Sequence, residues 1–155
     1  MPHPAIYRGN IEELKKKYAK LAAHRETRHL AFIDNQQCAR LVQVLANVGY
    51  TGTWRPGARV VDLKYLQPGT VIANFKIMDG KPVFPNESSW HAGLFQKFEH
   101  GKIIQGRRAH FTIIDQFPGK PVGERPLQAY TPEEAKRLGK TPANNANEYY
   151  VVLVP

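Results

Sequence analysis

Hydrophobic positions in the first third of the chain recur at helical spacing. Over residues 10–24, Ile11, Leu14, Tyr18 and Leu21 fall on one face. Asn10 can cap that segment, and Glu12 and Glu13 suit its positive N-terminal end, so an amphipathic helix is predicted. Lys15, Lys16, Lys17 and Lys20 lie mostly on its solvated flank. In a second segment Cys38, Leu41, Val42, Leu45 and Val48 share a face, and Gly49 is a natural stop. Asp34, three residues before Gln37, resembles the start of a capping box. This pattern puts Cys38 in the first turn, where the helix dipole and free N–H groups favour an anion such as a thiolate.

Beyond Gly49 the period shortens to two. Val71–Met78 and Lys81–Phe84 flank Asp79-Gly80, a strong hairpin signal. A second hairpin is predicted from His91 to Phe98, turning at His100-Gly101 and returning over Lys102–Gln105. A further strand spans Phe111–Phe117, with Phe111, Ile113, Asp115 and Phe117 on one face. Residues 118–148, rich in Pro, Gly and Asn, read as irregular apart from one short helix. That helix has Thr131 as cap, Pro132 at its first position, acidic Glu133 and Glu134, and Gly139 as stop. Tyr149–Val154 is the last strand. Helices followed by an antiparallel meander define an α+β domain over residues 1–155, with a helical extension at 1–30 and the core at 31–155.

Composition adds what the pattern leaves open. The 155 residues are 42 % hydrophobic and 23 % charged, which is globular. No apolar stretch approaches the ~20 residues of a membrane span, and the polar N-terminus lacks the apolar core of a signal peptide. The protein is therefore expected to be made in the cytoplasm and not to insert in a membrane. Its 22 basic and 13 acidic residues give a net charge of +9, which favours an anionic partner such as nucleic acid, a membrane face or a bacterial wall. Lys and Arg are dispersed and not interleaved with aromatics, which argues against nucleic acid.

A single cysteine excludes an internal disulfide and a multi-cysteine zinc site. No His, Cys and Asp spacing matches a zinc motif, so neither metal nor cofactor is expected. Cys38 is then either a small core side chain or a nucleophile. His91 opens a strand after the loop 85–90, where its ring can face a cleft, and Asp115 interrupts an apolar strand. A helix-end cysteine, a histidine on an adjacent strand and a group to orient it are the parts of a thiol hydrolase. His100 and His110 compete with His91, and His110 with Asp115 as third residue. His3, His24 and His29 read as surface. Trp54 and Trp90 can flank a substrate groove or fill the core.

Several stretches carry a resemblance. They are Asn35-Gln36-Gln37-Cys38, Gly52-Thr53-Trp54-Arg55-Pro56-Gly57, and Pro68-Gly69-Thr70-Val71-Ile72-Ala73-Asn74-Phe75. Trp90-His91-Ala92-Gly93-Leu94-Phe95, Ile114-Asp115-Gln116-Phe117, Asn144-Asn145-Ala146 and Tyr149-Tyr150-Val151-Val152 continue the series. Their order over residues 35–152 resembles the papain-like NlpC/P60-type cysteine peptidases and amidases. In particular it resembles a small bacterial family that includes type VI secretion peptidoglycan amidase effectors. The resemblance implies Cys38 as nucleophile, His91 as general base and Asp115 as orienter, on a fold with the cysteine helix packed on an antiparallel sheet. It also implies peptidoglycan as substrate, export by a secretion machine to the periplasm of a target cell, and a cognate immunity protein. Two other functions are kept beside it: a papain-like protease or deamidase acting on a protein, and a non-enzymatic, basic nucleic-acid-binding module.

Overall fold

A computed structural model describes residues 1–155. Three helices form: α1 (Ile11–Ala22), α2 (Cys38–Ala46) and α3 (Pro132–Leu138). The strands are β1 (His3–Pro4), β2 (Arg55–Arg59), β3 (Val71–Ala73), β4 (Lys76–Met78), β5 (Lys81–Val83), β6 (Ala92–Ile104), β7 (Arg107–Phe117), β8 (Lys120–Leu127) and β9 (Tyr150–Val154). The main sheet is antiparallel in the order β1-β9-β3-β6-β7-β8, with β2 also paired to β9. The architecture is α+β, as the patterning predicts.

Alternation along the central strands divides the apolar side chains between two clusters. Val71 and Ala73, Leu94 and Ile114 join Leu41 and Val42 of α2 in one cluster. Their neighbours Ile72, Phe95 and Ile113 join Phe111, Leu127 and Tyr149 in the other. β6 and β7 are thus covered on both faces at their inner ends, which explains their nearly continuous apolar runs. Ala5 and Leu14 of the N-terminal segment belong to the same cluster as α2. At Gly93 a Cβ would lie 2.7 Å from Ile113 Cδ1 and from the Ile114 carbonyl oxygen, so only glycine allows β6 and β7 to close there.

α1 begins as predicted, with the Asn10 side chain accepting from the Glu13 N–H. α3 has the full capping box, Thr131 and Glu134 each accepting the other's N–H. At α2 the expectation fails. Gln37, not Asp34, precedes the helix and caps nothing with its side chain, while Asp34 sits at φ 55° and pairs with Arg40. Cys38 is therefore the first helical residue. The stop comes at Asn47, in the left-handed conformation, two residues before Gly49.

The strand predictions need three corrections. β3 joins the main sheet while β4 and β5 form a separate ribbon about Asp79-Gly80, so the first hairpin is shorter than the apolar run. His100-Gly101 is left-handed yet bulges within β6, and the hairpin turns at Gln105-Gly106 instead. Residues 120–127, expected to be irregular, form β8. Its Pro121, Gly123 and Pro126 broke the alternation signal, but β8 is an edge strand, where proline is tolerated.

Candidate active site

Three elements converge at the N-terminal end of α2. Cys38 is half-buried there. His91, immediately before β6, is 5 % exposed, and Asp115 near the end of β7 is completely buried. His91 Nε2 lies 2.8 Å from Asp115 Oδ2. The remaining ring nitrogen, Nδ1, is left for the Cys38 thiol, which neighbours the imidazole closely enough for each to shift the other's ionisation. All three predicted chemical residues therefore form one chain, Cys38–His91–Asp115. His110 takes no part: it packs edge-on to Phe98.

Buried polar side chains fix this arrangement, and two of them adjoin residues singled out in the sequence. Gln116, fully buried, accepts from the Ile33 N–H at 2.7 Å and donates to the Ile33 and Gln37 carbonyls at 2.8 and 3.0 Å. It clamps the turn whose left-handed Asp34 and Gln36 deliver the chain into α2. One residue of β7 thus holds His91 and the next holds the approach to Cys38. Asn74, also fully buried, accepts the His91 N–H at 2.9 Å through its side-chain oxygen, and its backbone N–H donates to the His91 carbonyl at 2.9 Å. Both were legible by the criterion that picked out Asp115, a polar residue inside an apolar strand.

The electrostatics follow from the contacts. Burial alone would push the His91 imidazole down, but the Asp115 carboxylate and the thiol raise it to about 9. Burial likewise opposes ionisation of Cys38, yet the imidazolium and the Ala92 and Ala39 backbone N–H groups hold its thiol below the ordinary value. Asp115 is held well below the carboxylate range against its burial, by His91, Arg125 and Lys120. Both shifts favour a thiolate beside an imidazolium, the form in which a cysteine is reactive.

Cys38 and His91 open onto a cleft of about 910 Å³. Trp90 lines it, half-buried, with Lys76 Nζ 5.9 Å from its ring centroid. Trp54 does not. It is fully buried, packs on Phe84 with centroids 5.0 Å apart, and donates its indole N–H to the Val48 carbonyl. The expectation that Trp54 flanks the groove is thus overturned, because its ring fills the core and satisfies its only donor there. Tyr50, 74 % exposed, is the aromatic on the cleft rim from that part of the chain. Trp54→Ala is accordingly expected to cost about 3–5 kcal/mol in stability, read by urea unfolding, without a specific rise in KM.

No group of three His, Cys, Asp or Glu side chains is placed to hold a metal ion, and no helix is long and apolar enough to cross a membrane.

No protein-family model matches the chain. Among solved structures it is similar to a type 6 secretion amidase effector 2, with a TM-score of 0.60 and 27 % identity, covering 79 % of this chain and 85 % of that one. The shared architecture is papain-like, a cysteine helix packed on an antiparallel sheet. Among curated sequences it is 30 % identical over 142 residues to the type VI secretion amidase effector 2 protein of Salmonella typhi, spanning 87 % of this chain and 96 % of the relative. An amide-cleaving family accounts for a paired thiol and imidazole at the floor of an open cleft, and the chain belongs to the type VI secretion amidase effector 2 family.

Proposed function

We propose that the protein hydrolyses an amide bond in peptidoglycan peptides, with Cys38 as nucleophile, His91 as general base and acid, and Asp115 as the group that orients the imidazole. The observation that carries this reading is the Cys38–His91–Asp115 chain opening onto the cleft. His91 takes the thiol proton, and the thiolate attacks the carbonyl carbon. The Cys38 N–H, at the first position of α2 where amides lack helical partners, faces the developing oxyanion. The imidazolium then protonates the departing amine, leaving a thioester on Cys38. Water, deprotonated by His91, releases the carboxylate and regenerates the thiol.

Membership of a type VI secretion amidase effector family supports delivery by a type VI secretion system to the periplasm of a target cell. The +9 charge suits attraction to an anionic wall, and an immunity protein that plugs the cleft is expected to be acidic.

The test is digestion of purified sacculi by folded protein, with mass spectrometry of the released muropeptides. The expected products carry one water per cleaved amide and a new amine and carboxylate. Intact sacculi, or a one-unit mass gain at a side-chain amide without chain cleavage, would contradict the reading.

The rate should also follow a bell in pH. It rises as Cys38 ionises, below the ordinary thiol value, and falls as His91 loses its proton near about 9. Measuring kcat/KM on a soluble muropeptide from acid to alkaline pH reads both limbs. An alkaline fall centred near the unperturbed histidine value of about 6.5 is the contrary result.

A further inference from the structure

Asp115 has more partners than an imidazole requires. Its Oδ1 accepts from Lys120 Nζ at 2.7 Å, and its Oδ2 accepts from both His91 Nε2 and Arg125 Nε at 2.8 Å. Lys120 is further held by the Asp115 and Gly123 carbonyls. Arg125 projects from β8 opposite Ile113, and its side chain is 18 % exposed. Its two outer nitrogens do not reach the carboxylate. Nη1 donates to Asn144 Oδ1 at 2.8 Å and Nη2 to the Ala143 carbonyl at 3.1 Å.

That second end matters because residues 143–144 line the cleft. The Ala143 carbonyl also accepts from the buried Tyr149 hydroxyl, and the Ala143 N–H donates to the Ser89 carbonyl, beside Trp90 and His91. Arg125 further lies 5.9 Å from the centroid of the Phe117 ring, which stands edge-on to the His91 ring. One planar guanidinium therefore touches the carboxylate, the cleft wall and the ring packed against the imidazole. A fork of fixed geometry can do this and a single ammonium cannot.

We propose that Arg125 is a positioning residue for the amidase reaction: it sets the Asp115 carboxylate on His91 and locks the 143–144 wall of the cleft to the same point. The inference deepens the proposed function and rests on it. The groups that face the His91–Asp115 pair are Cys38 from α2, Lys120 and Arg125 from β8, and Tyr149 ahead of β9. Arg125 shares Oδ2 with the imidazolium and repels it, so its loss strengthens the imidazolium while Lys120 keeps the carboxylate ionised.

Two variants test this, Arg125→Gln and Arg125→Lys, with the His91 titration read by NMR and assigned through His91→Ala. In Arg125→Gln the His91 titration is expected to move up by about one unit, the size of one nearby charge, and kcat to fall about 10²-fold through misplacement. In Arg125→Lys the titration returns towards the wild-type value while kcat stays low, since the ammonium cannot reach both ends. An unshifted His91 titration in folded Arg125→Gln overturns the proposal, and so does wild-type kcat in either variant. Should Arg125→Gln not fold, the kcat of Arg125→Lys decides alone. The titration needs no substrate, so a wrong assignment of the cleaved bond would leave it intact.

Discussion

Replacing Cys38 with alanine is expected to reduce hydrolysis of muropeptides to background, a loss on the order of 10⁴- to 10⁶-fold. Cys38 is the only thiol in the chain, so no neighbour can substitute for it. The fold should survive. Alanine is a good helix former at the first position of α2, and the side chain is only half-buried. One signature distinguishes loss of the nucleophile from loss of structure. The Cys38 thiol contributes to the raised value of His91, so the imidazole should titrate lower in Cys38→Ala than in the wild type. NMR of the imidazole reads that shift, and circular dichroism checks the fold. Residual activity within tenfold of wild type would exclude Cys38 as nucleophile.

Asp115→Asn removes a charge while keeping the shape, and it acts twice. The His91 imidazolium loses one of the two partners that together outweigh its burial, so its proton affinity falls towards the ordinary histidine value. Cys38 then loses the cation that holds it as thiolate. A fall in kcat of about 10⁴-fold near neutral pH is expected, the scale found when a triad carboxylate becomes an amide. Lys120 and Arg125 are also left without their shared anion in a buried site, which should cost about 3–5 kcal/mol of stability. Asp115 is depressed in the folded state, so its contribution is present above the unfolded value of about 3.9 and is lost as pH falls below it. Wild type and Asp115→Asn should therefore converge in stability as the solution is acidified, read by urea unfolding at a series of pH values.

The parts of the fold and site that were legible in the sequence are those where one residue contradicts its surroundings. A cysteine opening a helical stripe, a histidine just ahead of an apolar strand and an aspartate inside one are each local anomalies, and the fold brings all three together. Gln116 and Asn74 were equally visible by this standard, but what they bind, loop carbonyls and amides, has no sequence signature. Arg125 and Lys120 were hidden with the strand that carries them. Pro121, Gly123 and Pro126 erase the period-two pattern of β8, and only its place at the sheet edge makes that pattern dispensable. The same limit applies to turns. His100-Gly101 and Gln105-Gly106 both adopt left-handed backbone, and cross-strand pairing alone makes the first a bulge and the second the hairpin end. Trp54 goes to the core and Tyr50 to the cleft rim because burial of an aromatic is decided by the packing around it.

The central claim is that His91 holds Cys38 as a thiolate. Alkylation by iodoacetamide measures it directly, since the adduct on the single cysteine is read from the intact mass. The rate would be followed from about pH 5 to pH 9 in the native protein and in His91→Ala, against the free-thiol value of about 8.5. The account predicts fast labelling at pH 6 that collapses in His91→Ala, where the rate should rise only as an ordinary thiol ionises. Labelling that appears only after denaturation, or that His91→Ala leaves unchanged, would contradict it.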